Sequence, residues 1–268
     1  MYTQEIEIKE ELTIVDQIVF MDGTMEDGES TLIPDNKSEI IIPLSGDISF
    51  KLIGSFRKLN LCEGQAYFLM PRGRGAEIDL EGSECLILKI NPLYARRISQ
   101  KLREVSNGVY RLDLEPLAFH ELKSLGRCSD IYGTSEIIER ACNEDFLEYN
   151  TTILDSIEMI KNSSGTISVK DIYTALNISK SKLEQHFNKE LGLTPKEFCK
   201  IEKLNFFINT YLNEEDKSLT ELTYLSGYYD QSHLIKDFNY FLDASPKRFF
   251  NTIHQSVKRA VKRVYSTI

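Results

Sequence analysis

No run of about 18 apolar residues occurs in the 268-residue chain, and Met1–Glu11 is acidic and polar with no apolar core. A membrane span and a secretory leader are therefore not expected, and a cytoplasmic location is. Cysteine is sparse and unpatterned: Cys62, Cys85, Cys128, Cys142 and Cys199 are odd in number, widely spread and form no CxxC pair. That excludes a disulfide framework and a zinc knuckle and leaves buried or incidental thiols. Histidine is missing from residues 1–119, and carboxylates alone make a poor site for a redox metal. No metal and no cofactor is expected. A glycine-rich phosphate loop is also missing, as is any nucleophile–base pair at recognisable spacing, which argues against an enzyme.

What is present is an ordinary globular composition, 41% hydrophobic and 27% charged, with a formal net charge of −9. The charge is unevenly spread. Residues 166–268 hold 15 Lys+Arg against 12 Asp+Glu, a net of +3, so residues 1–165 carry −12. The C-terminal segment is mildly basic, and its pull on phosphate is modest for a single copy.

Residues 12–90 read as short strands rich in Ile, Val, Leu and Phe: Ile14–Phe20, Glu39–Leu44, Asp47–Ile53, Ala66–Met70 and Glu84–Ile90. Turn signals such as Asp22-Gly23, Asp27-Gly28, Pro34-Asp35-Asn36 and Ser45-Gly46 separate them, which predicts a small barrel or sandwich. Pro92–Leu102 reads as a helix opening on proline. From Leu117 to Lys161 the period is helical, with Ile153, Ile157 and Ile160 on one face and Ile137, Ile138 and Ala141 on another. These stripes are packing surfaces, or alternatively a dimer face. Asn162-Ser163-Ser164-Gly165 is a polar linker.

Beyond it the chain repeats itself. Ser168, Asp171 and Ile172 match Ser218, Glu221 and Leu222 at an offset of 50. Leu183, Phe187, Asn188, Pro195, Lys196 and Phe198 match Leu234, Phe238, Asn239, Pro246, Lys247 and Phe249 at an offset of 51. Each copy opens on a capping serine, continues with a short helix (Val169, Ile172, Tyr173 and Leu176 inward; then Leu219, Leu222 and Leu225), turns, and starts a second helix at Ser179 or Asp230. Leu183, Phe187 and Leu191, then Leu234, Phe238 and Leu242, face the core. Lys180, Ser181, Lys182, Glu184, Gln185 and Asn188 face outward in the first copy, and Gln231, Ser232, His233 and Lys236 in the second. Side chains of this kind near a helix N-terminus suit base edges and phosphates, and Gln185 and Glu184 suit adenine and cytosine respectively. A metal role for His233 is not expected, because no second His or Cys lies at ligand spacing. Thr194-Pro195-Lys196-Glu197 starts a helix expected to reach Leu212, a spacer between the two units. The tail Lys258-Arg259-Ala260-Val261-Lys262-Arg263 is basic.

The run Ser226-Gly-Tyr-Tyr-Asp-Gln-Ser-His-Leu-Ile-Lys-Asp-Phe238 with Ser245-Pro246-Lys-Arg-Phe249 closely resembles the signature of AraC/XylS-type transcription regulators. Ile178–Phe187 with Glu190–Phe198 is similar to that family's first helix–turn–helix. The resemblance covers residues 166–252. It implies seven helices, among them two recognition helices and a linking helix, with base-facing residues at Ser181, Glu184, Gln185, Gln231, Ser232, His233 and Lys236. It departs from the family at Asn205-Phe206, where an Arg-Ala pair is usual, which implies different packing of the linking helix. Leu32-Ile33-Pro34-Asp35-Asn36 leading into Glu39–Leu44 resembles a cupin-like sensor domain of such regulators, which binds an effector or mediates dimerisation.

The fold expected is α+β: a small β-barrel, cupin-like, with helices, followed by an all-α domain of two helix–turn–helix units joined by a linking helix. The expected divisions are a sensor domain at 1–110, a helical dimerisation or linker region at 111–165, an AraC-type DNA-binding domain at 166–256 with its units at 169–190 and 219–242, and a basic tail at 257–268. The function expected is a sequence-specific DNA-binding regulator. Its implied partners are double-stranded operator DNA, a small-molecule effector, a second copy of the chain and RNA polymerase, with no membrane. The alternatives are an interaction-only regulator with weakened DNA binding, and a barrel enzyme with a DNA-targeting tail.

Overall fold

The computed structural model describes residues 14–252 apart from 24–28, 72, 101, 107, 128–129, 143–149 and 215–216. The Asp27-Gly28 turn, Met1–Glu11, Cys128 and the basic tail Lys258–Arg263 lie outside the described residues.

Among the described residues ten strands form two antiparallel sheets. In chain order they are β1 Val15–Asp22, β2 Glu29–Leu32, β3 Ser38–Ser45, β4 Ile48–Leu52, β5 Lys58–Leu61, β6 Ala66–Leu69, β7 Ala76–Asp79, β8 Glu84–Ile90, β9 Arg103–Ser106 and β10 Val109–Leu112. The larger sheet runs β1-β8-β3-β6-β10-β9 and the smaller β2-β7-β4-β5. Side chains alternate across a strand. Ile41, Cys85 and Ile87 of the large sheet therefore point one way and meet Ile48, Phe50 and Ile78 of the small sheet in a closed core. Ile40, Ile42, Leu86, Leu88 and Ile90 point the other way and join a second cluster shared with the helices. Both faces of β3 and β8 are covered, which is why Glu39–Leu44 and Cys85–Ile90 read as nearly unbroken apolar runs rather than as alternation.

Pro92–Tyr94 is a single 3-10 turn with proline at its start, and α1 follows at Ala95–Gln100. Two helices, α2 Pro116–Arg127 and α3 Ile131–Cys142, pack against β1. α4 spans Thr151–Asn162. Ile137, Ile138, Ile153 and Ile160 are at most 2% exposed, so both apolar stripes are consumed inside this chain.

The remaining helices are α5 Val169–Ala175, α6 Lys180–Leu191, α7 Pro195–Asn213, α8 Leu219–Leu225, α9 Gln231–Leu242 and α10 Pro246–Thr252. Residues 166–252 thus hold six described helices, and α4 just upstream packs on α6 and α7. The polar linker is no loose tether. Gly165 adopts φ +72 and donates its N–H to Ile160 O. A Cβ on it would lie 2.2 Å from Cys199 O, so only glycine fits this turn against α7.

The two helix–turn–helix copies match in geometry as well as in residues. Ser168 and Ser218 cap their first helices, and each accepts from the N–H three residues on. Asn177 and Gly227 both take left-handed φ at the turn. Ser179 and Asp230 cap the second helices, and Gly192 and Asp243 end them left-handed. The additional residue of the second copy sits in the turn, where Tyr228 is buried and Tyr229 is 84% exposed. Thr194 and Glu197 form a capping box with Pro195 at the first position of α7. One expectation fails: Leu225 does not pack inward but is 54% exposed, because α8 ends there and the chain turns away.

Aromatic rings knit the second unit to α7. Phe238 meets Phe207 edge-on at 5.6 Å and Phe249 at 5.7 Å, and Phe207 meets Tyr228 at 6.3 Å. Such pairs add to the burial energy of large side chains. Phe238→Ala is expected to lower the unfolding free energy by about 3–5 kcal/mol in urea titration; a loss under about 1 kcal/mol would show the cluster to be loosely packed.

Candidate nucleic-acid interface

The outward faces of α6 and α9 carry the side chains expected to meet DNA. On α6, Lys180, Ser181 and Gln185 are exposed and Glu184 is half-buried. Lys180 and Glu184 pair at 3.5 Å one turn apart, so part of the first helix's positive charge is neutralised locally. On α9, Ser232 and Lys236 are exposed, while Gln231 and His233 are half-buried. Gln231 donates its Nε2 to Thr220 Oγ1 at 2.7 Å, which ties the start of α9 to α8. His233 stacks edge-on against Tyr228 at 5.3 Å and lies 4.0 Å from Asp237.

Beneath this face Asp237 is buried and pairs with Lys200 of α7 at 2.6 Å. A buried carboxylate needs such a partner, since removing one member leaves an uncompensated charge. The pair fixes the rotation of α9 relative to α7. α7 has 19 residues, a rod of about 28 Å at 1.5 Å per residue.

Both units also touch the β-rich part of the chain. α1 and the turn before it pack on α6. Gly75 donates its N–H to Phe241 O at the end of α9, 2.8 Å away, and the Arg74 guanidinium lies 4.8 Å from the Tyr240 ring centre. The strongest joint lies on α7. Asn205 Nδ2 donates to Pro34 O at 2.8 Å, and Asn36 Nδ2 donates to Phe198 O at 3.0 Å and to Glu202 Oε1 at 2.9 Å. Asn36 holds φ 62, a conformation asparagine tolerates better than most residues. Asp35 pairs with buried Lys89 at 2.8 Å, beside Glu39. Burial opposes the Lys89 charge, but the two carboxylates outweigh it and hold the lysine pKa above its ordinary value.

Pro34-Asp35-Asn36 reads in sequence as a turn; in space it is an interdomain joint. Asn36, Glu202 and Asn205 had no place among the expected site residues. The one signal for them was Asn205-Phe206, the departure from the family's usual pair, and its changed packing is this contact. Two cysteines are fully accounted for by packing: burial pushes Cys85 up to about 12 and Cys199 up to about 11, so neither is a reactive thiolate.

Residues 172–252 match the family described as "Helix-turn-helix domain". The C-terminal part of the chain is a helix–turn–helix domain of the AraC type, the DNA-binding domain of transcription regulators. No curated protein matches the chain in sequence. Among solved structures, an apo point variant of ToxT from Vibrio cholerae superposes with a TM-score of 0.57 at 12% identity, covering 88% of this chain and 97% of that one. Wild-type ToxT from Vibrio cholerae bound to an unsaturated fatty acid gives 0.53 at 12% identity, with 88% and 95% covered. At such identity the likeness is one of fold: a β-rich N-terminal domain followed by the helical domain. Among the described residues no helix is long and apolar enough to cross a membrane.

Glu202 supplies a test of the joint. Burial raises its pKa above the ordinary 4.5; Asn36 and Lys161 pull it back, Asp35 adds to the rise and Lys37 opposes it. The folded state therefore holds this proton more tightly than the unfolded chain. Its stabilising contribution is complete below about 4.5 and is lost as pH rises through the raised value. In Glu202→Gln the fall of melting temperature with pH above about 4.5 is expected to be shallower than in the parent; parallel pH profiles would contradict this. Asn205→Ala, which strips the Pro34 carbonyl of its partner, is expected to cost about 1–3 kcal/mol by the same melting measurement.

Proposed function

We propose that the chain is a sequence-specific transcription regulator whose helices α6 and α9 enter successive major-groove segments of operator DNA. The observation that carries this reading is the pair of equivalent helices, each of 12 residues, capped alike, both packed on α7 and each presenting polar side chains outward. In it Lys180, Ser181, Glu184 and Gln185 face the first segment. Gln231, Ser232, His233 and Lys236 face the second. Lys236 contacts phosphate or a guanine edge, and Gln231 offers an amide to adenine. The exposed Tyr229 stands at the entrance to the second segment. Glu184 offsets Lys180, which leaves Lys182 on α6 and Lys236 on α9 to attract phosphate.

The β-rich domain modulates this activity through a small-molecule effector. Two features support that role: the domain touches both helix–turn–helix units, and a structure of the same fold, ToxT, is recorded with a fatty acid bound. The regulator acts as a homodimer, since a +3 segment makes few phosphate contacts alone. The dimer face lies outside the two isoleucine stripes, which are buried within the protomer.

The test is fluorescence anisotropy with a duplex selected from random sequence, measured across a salt series. Gln231→Ala and Lys236→Ala should each weaken specific binding by about 1–3 kcal/mol, and Lys236→Ala should also flatten the salt dependence. Unchanged affinity in both variants, or equal affinity for scrambled DNA, would remove α9 as the reader.

A further inference from the structure

A cavity of about 410 Å³ lies beside the interdomain joint, between the Asp35–Lys37 loop, Pro92, the C-terminal end of α4 and one face of α7. Its volume is that of a small-molecule site. Its wall joins the three parts of the molecule that a regulator must couple: the β-rich domain, the helical connection and the linking helix. Most polar groups on it are already engaged. Asp35 pairs with Lys89, Lys37 pairs with Asp16 at 3.2 Å, and Asn205 bonds Pro34 O.

Two oppositely charged groups on the wall form no ion pair within 4.0 Å among the described residues. Lys161, at the end of α4, is exposed and has no ion-pair partner within 4.0 Å among the described residues. Glu202 is half-buried on α7, and its carboxylate accepts a hydrogen bond from Asn36. The two opposite charges border the same cavity without closing on each other. Phe206, 37% exposed, supplies an apolar surface there.

We infer that this cavity binds a small zwitterion with an apolar side chain, of the free amino acid or dipeptide class. The ligand carboxylate meets Lys161, its ammonium meets Glu202, and its side chain lies on Phe206. A ligand so held bridges α4 and α7 and tightens the joint that seats the β-rich domain. A fatty acid offers Lys161 a carboxylate but brings no cation to Glu202. A neutral sugar offers neither group an opposite charge. The link from this ligand to DNA affinity rests on the function proposed above; the binding itself does not.

The test is isothermal titration calorimetry on the full chain with leucine, phenylalanine and leucyl-leucine. N-acetyl-leucine, leucinamide, oleate and xylose serve as comparisons. At least one zwitterion should bind saturably, and its acetylated and amidated analogues should bind on the order of tenfold more weakly or worse. Lys161→Met should weaken zwitterion binding to a similar degree but leave leucinamide unaffected. Glu202→Gln should do the same while sparing N-acetyl-leucine. Melting curves establish that both variants fold, and Lys161→Met, at an exposed site, keeps the test open if Glu202→Gln does not. No zwitterion binding, binding indifferent to Lys161→Met, or a preference for oleate or xylose would overturn the inference. DNA anisotropy on the same samples separates the claims: intact DNA recognition with no zwitterion binding sinks only this one, and the reverse sinks only the regulator reading.

Discussion

The large sheet is apolar on both faces, and only one of them has a second sheet to pack on. Ile40, Ile42, Leu86, Leu88 and Ile90 would otherwise meet water, at about 25 cal/mol for each Å² of apolar surface left exposed. Helices must cover that face. The cluster that does so runs without a break through α1–α4 into Phe187 and Phe238 of the two helix–turn–helix units and Leu204 and Phe207 of α7 between them. The DNA-binding part therefore does not hang from a flexible string. It shares a hydrophobic core with the β-rich domain, so what alters one is felt by the other.

Apolar burial gives that contact its strength but little direction. Direction comes from a few polar contacts that work only in one register. Asn205 and Asn36 reach across the boundary to backbone carbonyls that would be costly to leave dry, and Gly75 reaches the last turn of α9. Lys200 and Asp237 set the angle between α7 and α9 from inside the helical domain. α7 thus belongs to three structures at once: the spacer between two units, the post on which the β-rich domain sits, and one wall of the cavity.

Much of this was legible in the amino acids. The repeat, its caps at Ser168, Ser218, Thr194 and Asp230, and the turn position of its extra residue are local signals, and local signals carry helices well. The long strands β3 and β8 showed as apolar runs. The short strands β2, β5, β7, β9 and β10 did not: each mixes polar with apolar residues in a span of four, whereas the equally short β6 is apolar throughout. Leu225 was misjudged because helical spacing cannot tell where a seven-residue helix stops. The joint was hidden for another reason. Asn36 and Asn205 are 169 residues apart, and an asparagine that caps a turn looks the same in sequence as one that bonds across a domain boundary.

In the function proposed above, two equivalent helices, held by α7 and seated on the β-rich domain, read DNA together. Hydroxyl-radical footprinting of the full chain on a selected duplex tests it most directly. The prediction is two protected segments on one face of the duplex, about 10 base pairs apart within each protomer's site. A single protected segment per protomer, or two on opposite faces, would contradict it.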